Sequence, residues 1–134
     1  MKVFDFMTTR LESVDADATV YDAVEKMVDR RIRSLLVRFP GGDLKDGVIT
    51  ARDIVYRVLA KGKNPSEVKV SEIASRPIAC IDKEASLMDA AGLMEENHVA
   101  RVFVCDGSEI IGVISLMDAM AASLILRARG DHVS

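Results

Sequence analysis

Two short runs of the sequence carry side chains that can hold a ligand by hydrogen bonds. Thr50 precedes Asp53 and Ser115 precedes Asp118, with the same three-residue spacing. An ionised Asp has only acceptor oxygens and can take both hydrogens of a diol, while a hydroxyl can donate to a ligand oxygen. The same pattern is also an ordinary helix cap, because its hydroxyl and carboxylate satisfy free amides of a first helical turn. The spacing alone leaves both interpretations open.

Two further copies of this pattern precede apolar residues at helical spacing. Thr19 with Asp22 and Ser86 with Asp89 each start a run in which every third or fourth residue is apolar. We predict capped helices that bury one stripe at both places, and we assign these two copies no ligand.

An internal repeat organises the chain. Val3 to Val37 aligns with Val70 to Val104 at an offset of 67 residues, and Gly47–Asp53 aligns with Gly112–Asp118 at an offset of 65. Each half predicts a helix, two strands joined by a turn, and a last helix. The predicted strands contain Ser34–Val37, Gly47–Ile49, Val102–Cys105 and Ile110–Ile114. The last helix of each half covers about 53–59 or 118–126. Asp106-Gly107 is the signal for a hairpin turn. We divide the chain into repeat 1 (1–62), a linker (63–69), repeat 2 (70–128) and a tail (129–134).

The composition excludes several classes of protein. The 134 residues carry a net charge of -3 and no Trp, so neither a global positive field nor a stacking platform for nucleic acid is present. The most apolar stretch, Leu116 to Leu126, is about half as long as a membrane-spanning helix and contains Asp118. Cys80 and Cys105 lack the spacing of metal ligands, and we expect buried free thiols in a cytoplasmic protein.

The duplicated pattern resembles a tandem cystathionine β-synthase (CBS) domain pair, also called a Bateman module. The resemblance rests on Asp-Phe-Met-Thr, an amphipathic helix, an Arg before an apolar strand, and two copies of Gly-hydrophobic-hydrophobic-(Thr/Ser)-x-x-Asp, and it covers residues 1 to about 126. It implies an α+β fold of two β-α-β-β-α repeats packed with pseudo-twofold symmetry. It also implies clefts between the repeats that bind AMP, ADP, ATP or S-adenosylmethionine as a regulatory ligand, and assembly into a homodimer.

The resemblance assigns roles to named residues of this chain. It implies ribose contacts by Thr50, Asp53, Ser115 and Asp118, phosphate contacts by Arg33, Arg52 and Arg101, and an adenine pocket lined by Leu11, Ile32, Ile78 and Val99. The arginines are equally typical of a solvated surface, and the apolar residues are equally typical of a core. Arg33 aligns with Ala100 and Arg52 with Met117, so we expect the first cleft to be the more basic and the two clefts to differ in affinity.

The sequence gives little support to an enzyme. It contains no Gly-x-Ser-x-Gly, no His-Glu-x-x-His and no Gly-x4-Gly-Lys-Ser, and its two histidines are His98 and, in the tail, His132. We expect no catalytic residue and no metal site. Two hypotheses remain: a sensor that reports an adenosyl ligand to an unidentified effector protein, and a dimerising interaction module whose nucleotide clefts are vestigial or empty. Binding to nucleic acid or membrane is not expected.

Overall fold

The computed structural model describes residues 1–42 and 45–130. Residues 131–134, which include His132 and most of the predicted tail, lie outside the described part. The described halves both follow the order β-α-β-β-α, which confirms the predicted mixed α+β fold. The strands are β1 (Ser13–Asp15), β2 (Ser34–Arg38), β3 (Gly47–Thr50), β4 (Cys80–Asp82), β5 (Arg101–Asp106) and β6 (Glu109–Ser115). The α-helices are α1 (Val20–Arg30), α2 (Ala51–Ile54), which continues as a π-helical turn over Val55–Leu59, α3 (Leu87–Asn97) and α4 (Leu116–Ala128).

Each half forms a three-stranded sheet, in the orders β1-β2-β3 and β4-β5-β6. The first two strands of each sheet are parallel and the last two are antiparallel. A parallel pair needs a crossover, which α1 and α3 supply, whereas a short turn can join an antiparallel pair. The turn between β5 and β6 is centred on Gly107 and Ser108, since Asp106 pairs with Glu109. The hairpin prediction at Asp106-Gly107 was therefore one residue early, and Gly107 supplies the positive φ of 61°.

The chain forms two compact units whose boundaries cut across the repeats. The first unit is Glu12–Ile78, and the second unit combines Met1–Leu11 with the chain from Ala79 onwards. In the second unit the amide of Val3 donates to the carbonyl of Ala85 at 2.8 Å. In the first unit the amide of Val70 donates to the carbonyl of Ala18 at 2.9 Å. The segment that leads into each repeat thus completes the body of the other repeat.

The helix starts follow the predicted caps. The Thr19 hydroxyl accepts from the amide of Asp22 at 3.2 Å, and the Asp22 carboxylate accepts from the amide of Thr19 at 3.1 Å. Ser86 and Asp89 repeat this capping box at the start of α3. No described helix has the length and apolar character needed to cross a membrane.

The core of each unit is aliphatic. The middle strands β2 and β5 bury consecutive residues, so both of their faces are shielded from solvent. The core of the first unit includes Val20, Ala23, Leu35, Val37, Ile49, Val58 and Val70, and that of the second unit includes Val3, Ala90, Met94, Val102, Val104 and Ile114. Val3 and Val70, which come from the exchanged lead-in segments, are fully buried.

The two cysteines form a disulfide, so the expectation of free thiols was wrong. Cys80 begins β4 and Cys105 lies near the end of the neighbouring strand β5, with their Cα atoms 6.2 Å apart. This separation is within the range that a disulfide spans. The sequence places the two residues 25 positions apart, and this spacing does not show that their side chains meet.

Candidate functional site

Both candidate hydroxyl–carboxylate pairs lie where the last strand of a sheet passes directly into a helix. Thr50 ends β3 and Ser115 ends β6, and each hydroxyl accepts a hydrogen bond of 3.1 Å from the amide of its Asp. In return, Oδ2 of Asp53 and of Asp118 accepts from the amide of Thr50 or Ser115 at 2.9 Å. Oδ1 of each carboxylate takes no hydrogen bond within the described part of the chain. Each pair therefore caps its helix and keeps one carboxylate oxygen for a further donor.

Burial separates these two pairs from the two that only cap helices. Asp22 and Asp89 are exposed, whereas Asp53 and Asp118 are half-buried although all four make the same backbone hydrogen bonds. A half-buried carboxylate has lost part of its hydration, and hydrogen bonds from a ligand can replace what was lost. The structure thus distinguishes pairs that are identical in sequence pattern.

The glycine of each motif lets a second segment approach the strand closely. A Cβ on Gly47 would lie 2.6 Å from the carbonyl oxygen of Ser75, and one on Gly112 would lie 3.0 Å from that of Thr8. Ser75 pairs with Val48 through hydrogen bonds of 2.9 and 3.0 Å, and Thr8 pairs with Val113 in the same way. These segments continue to Ile78 and Leu11, the residues predicted to line an adenine pocket.

The arginines differ in their relation to the two hydroxyls. Arg101 is the cross-strand partner of Ser115, so its half-buried side chain shares a sheet face with that hydroxyl. The corresponding partner of Thr50 is Ser34, and Arg33 lies one residue earlier, exposed, with its carbonyl accepting from the amide of Ala51 at 2.9 Å. Arg52 is exposed in the first turn of α2. The asymmetry read from the alignment is therefore present in the positions of the arginines.

The four predicted adenine contacts fall into two kinds. Ile32 and Val99 pack against the cores of the first and second units. Leu11 and Ile78 are half-buried and stand at the ends of the exchanged segments.

The two compact units sort the candidate residues into two sets. One set lies in the first unit and consists of Ile32, Arg33, Thr50, Arg52, Asp53 and Ile78. The other lies in the second unit and consists of Leu11, Val99, Arg101, Ser115 and Asp118. Each set holds apolar, basic, hydroxyl and carboxylate members, although each draws them from both sequence repeats.

Two arginines that the sequence reasoning passed over hold the segment leading to Ile78. Arg57, on the π-helical turn, donates to the carbonyl of Ile73 at 2.8 Å. Arg76 donates to the carbonyl of Lys45 at 2.9 Å and lies over the ring of Phe39, 3.7 Å from its centroid. The repeat contained a signal for Arg57, because it aligns with the buried Ala122 and departs from it in both charge and size.

Comparisons with known proteins all lead to proteins that contain CBS domains. Residues 3–60 and 70–125 each match the CBS domain family. The CBS domain-containing protein YhcV of Bacillus subtilis is 31% identical over 132 residues, which cover 98% of this chain and 92% of YhcV. The chain spans about half of another curated relative, 52% of its length.

Two solved structures resemble the chain over nearly all of its length. The hexameric CBS-CP12 protein from bloom-forming cyanobacteria has a TM-score of 0.86 and 29% identity, covering 95% of this chain and 73% of that one. CBSX2 in complex with AMP has a TM-score of 0.76 and 25% identity, covering 94% and 98% respectively.

Proposed function

The chain belongs to the CBS domain family as a tandem pair, and from this premise we propose that it is a regulatory module that binds an adenosyl ligand. AMP, ADP, ATP and S-adenosylmethionine are the candidate ligands. The observation that carries the proposal is the duplicated half-buried carboxylate, Asp53 and Asp118, whose Oδ1 takes no hydrogen bond within the described residues. The AMP bound to the similar CBSX2 structure supports the choice of ligand class. We also propose a cytoplasmic location for the module.

Ribose binding follows from the chemistry of the two pairs. The carboxylate is acceptor-only when ionised, so Oδ1 of Asp53 or Asp118 can accept from a ribose hydroxyl while Oδ2 keeps the helix cap. The Thr50 or Ser115 hydroxyl already accepts from a backbone amide, and its proton remains to be donated to a ribose or phosphate oxygen. Capping and ligand binding are therefore compatible roles of the same side chains.

The phosphate contacts are proposed to differ between the two sets. Arg101 starts opposite Ser115 and can reach a phosphate held beside that hydroxyl, where a guanidinium makes charge-assisted hydrogen bonds. Arg33 and Arg52 are exposed and make weaker, more strongly screened contacts in the first set. We expect two affinities, with the second set gaining more from each added phosphate.

The adenine ring is proposed to lie against Leu11 in one set and Ile78 in the other. Both residues are half-buried, so apolar surface remains for a flat base to cover. Ile32 and Val99, which pack against the cores of the first and second units, are proposed to complete the two apolar surfaces.

Calorimetry with AMP, ADP, ATP and S-adenosylmethionine tests the function. A ligand present at about 100 times its dissociation constant adds roughly 2.7 kcal/mol to the free energy of unfolding, so thermal shift gives a second readout. Asp53→Ala and Asp118→Ala should each weaken one site by about 1.5–3 kcal/mol.

Asp22→Ala is the matched control, because it removes the same capping interaction from an exposed position. It should lower stability by about 1 kcal/mol and leave affinity unchanged. If no ligand binds at millimolar concentration, or if Asp53→Ala and Asp22→Ala have the same effect on affinity, the sensor proposal fails.

An exposed apolar stripe on α4 favours self-association, whether or not the sites bind a ligand. Four apolar side chains of α4 are more than half exposed: Leu116 (51%), Met117 (67%), Met120 (57%) and Leu124 (71%). Ala122, on the opposite side of the helix, is buried. A helix that is apolar all round has a second surface to cover. We propose that a second copy of the chain covers it in a homodimer, and the hexameric state of the similar CBS-CP12 protein is consistent with assembly.

Sedimentation of charge-introducing variants tests the homodimer. Leu124→Glu should yield monomers, whereas Met88→Glu, at an apolar residue of α3 that is 57% exposed, should leave the assembly unchanged. A dimer that survives Leu124→Glu would place the interface elsewhere. A dimer that forms while no nucleotide binds would favour the second hypothesis, an interaction module with empty sites.

A further inference from the structure

We propose that the Cys80–Cys105 pair is a reversible thiol–disulfide exchange site that determines how firmly strand β4 is held in the second unit. The proposal extends to ligand affinity, because β4 begins two residues after Ile78, and that extension rests on the proposed function. The class of co-reactant is a low-molecular-weight or protein dithiol and its disulfide.

Apart from the disulfide, β4 is held through a single neighbouring strand, whose Asp106 also pairs with Lys83 at 3.1 Å. Strand β4 has three residues and lies at the edge of the sheet, beside β5 alone. Just before β4, the carbonyl of Ala79 accepts from the amide of Phe103 at 2.9 Å. Just after β4, the amide of Lys83 donates to the carbonyl of Cys105 at 3.1 Å. A three-residue edge strand with one neighbour opens more readily than a central strand, so a covalent bond there changes its local stability strongly.

Cys105 also lies where the other side of its strand is irregular. The pairing of β5 with β6 shifts register between Val104 and Cys105, so that Cys105 pairs with Ile110 and Ile111 is skipped. Bulges disrupt a ladder locally and occur preferentially beside functional sites. The disulfide thus joins an edge strand to the least regular point of its neighbour.

The first unit provides an internal control that lacks the bridge. Ser13 and Arg38 occupy the positions that correspond to Cys80 and Cys105 in the repeat. There β1 pairs with β2 in the equivalent parallel register, with Ser13 opposite Leu36 as Cys80 is opposite Phe103. The same strand geometry is therefore reached without a covalent link, and the bridge is free to open and close without loss of the fold.

Exposure of the pair fits an exchange reaction. Cys80 is half-buried and Cys105 is 6% exposed, so an incoming thiolate approaches the Cys80 sulfur. Its attack forms a mixed disulfide with Cys80 and releases Cys105 as a thiolate, which takes a proton from water. The second thiolate of the dithiol then displaces Cys80, so the pair gains two electrons and two protons and the dithiol is oxidised to its disulfide. In a reducing compartment, bridges of this kind are typically redox-sensing rather than structural.

Opening the bridge acts next to a proposed ligand contact. Ile78 is joined to Cys80 through Ala79 alone, and the unit boundary falls between Ile78 and Ala79. When β4 is released, the residue that follows Ile78 loses its fixed position and ligand binding must restore it. Oxidation should therefore tighten binding, and bound ligand should protect the bridge from reduction by the same factor.

The test compares oxidised and dithiothreitol-reduced protein by hydrogen exchange, with alkylation and mass spectrometry reporting the thiol state. Reduction should raise amide exchange at residues 79–83 at least tenfold and leave residues 13–38 of the first unit unchanged. The dissociation constant of AMP should rise about fivefold or more on reduction. Cys80→Ser, which installs the residue found at position 13, should behave as the reduced protein with and without dithiothreitol.

Two outcomes would overturn the exchange site. One is complete alkylation of both cysteines after treatment with oxidised glutathione, which means that no bridge forms. The other is a bridge that forms while exchange at residues 79–83 stays the same in both states. If exchange responds to reduction but AMP binds neither form, the exchange site is upheld and the proposed function alone fails.

Discussion

The motif glycine at position 47 offers a direct test of the packing around the first candidate site. A Cβ at this position would lie 2.6 Å from the Ser75 carbonyl oxygen and 2.8 Å from Cγ of Arg76. The Ser75 oxygen also accepts from the amide of Val48 at 3.0 Å, so it cannot move away without lengthening that hydrogen bond. Gly47→Ala therefore forces either a steric overlap or the loss of a strand contact.

The expected cost follows from these two terms. Overpacking costs about 1–3 kcal/mol and a weakened hydrogen bond about 1 kcal/mol, while the stiffer unfolded chain returns about 0.4–1 kcal/mol. We expect Gly47→Ala to lower the free energy of unfolding by about 2–3 kcal/mol. Urea denaturation measures this directly, and thermal unfolding should show a decrease in Tm of about 10 °C.

Two other glycines are matched controls. A Cβ on Gly112 would lie 2.5 Å from Sδ of Met7, a flexible side chain that can turn away, and 3.0 Å from the Thr8 carbonyl oxygen, which needs only a small shift. Gly112→Ala should therefore cost about 1 kcal/mol of the free energy of unfolding. A Cβ on Gly92, inside α3, would meet nothing within 4 Å, and Gly92→Ala should stabilise the protein by about 0.5–1 kcal/mol. Equal effects of Gly47→Ala and Gly112→Ala would refute the close approach of Ser75.

Three further substitutions have expected outcomes that urea denaturation or hydrogen exchange can check. Arg38→Ala should cost about 3 kcal/mol, because Asp46 is 1% exposed and would lose the guanidinium that donates to it at 2.6 Å; a cost under 1 kcal/mol would contradict this. His98→Gly should stabilise by about 0.5 kcal/mol, because His98 ends α3 at a φ of 53° that glycine adopts without strain; a loss of stability would show a side-chain role. Val3→Ala should cost about 1–3 kcal/mol and raise exchange in the second unit but not in residues 12–78.

Much of the fold could be predicted because local chemistry and the repeat agreed. Thr19 and Ser86 were predicted as helix caps from the hydroxyl and carboxylate spacing, and both make the expected hydrogen bonds. The repeat then fixed the order of strands and helices, since a pattern that is weak once becomes specific when it recurs at the same place. The ligand roles of Thr50, Asp53, Ser115 and Asp118 remain predictions.

The features that were missed depend on contacts between distant parts of the chain. No local pattern gives the register between β4 and β5, so the bond between Cys80 and Cys105 could not be foreseen. Arg57 donates its hydrogen bond to the Ile73 carbonyl from a π-helical turn. The spacing of apolar residues in the sequence does not show that the helix changes to π geometry there. Burial likewise distinguishes Asp53 from Asp22 only after the chain has folded.

The exchange of lead-in segments has a consequence for the order in which the protein is made. Residues 12–78 are continuous, so the first unit has all of its parts once the ribosome has released Ile78. The second unit waits longer, because Val3 is translated well before its partner Ala85 and before the strand residue Val113. Throughout that interval Val3 and Phe6 have no core to enter. Synthesis therefore imposes an order on folding, in which residues 1–11 reach their packed position only after residues 12–78 have been made.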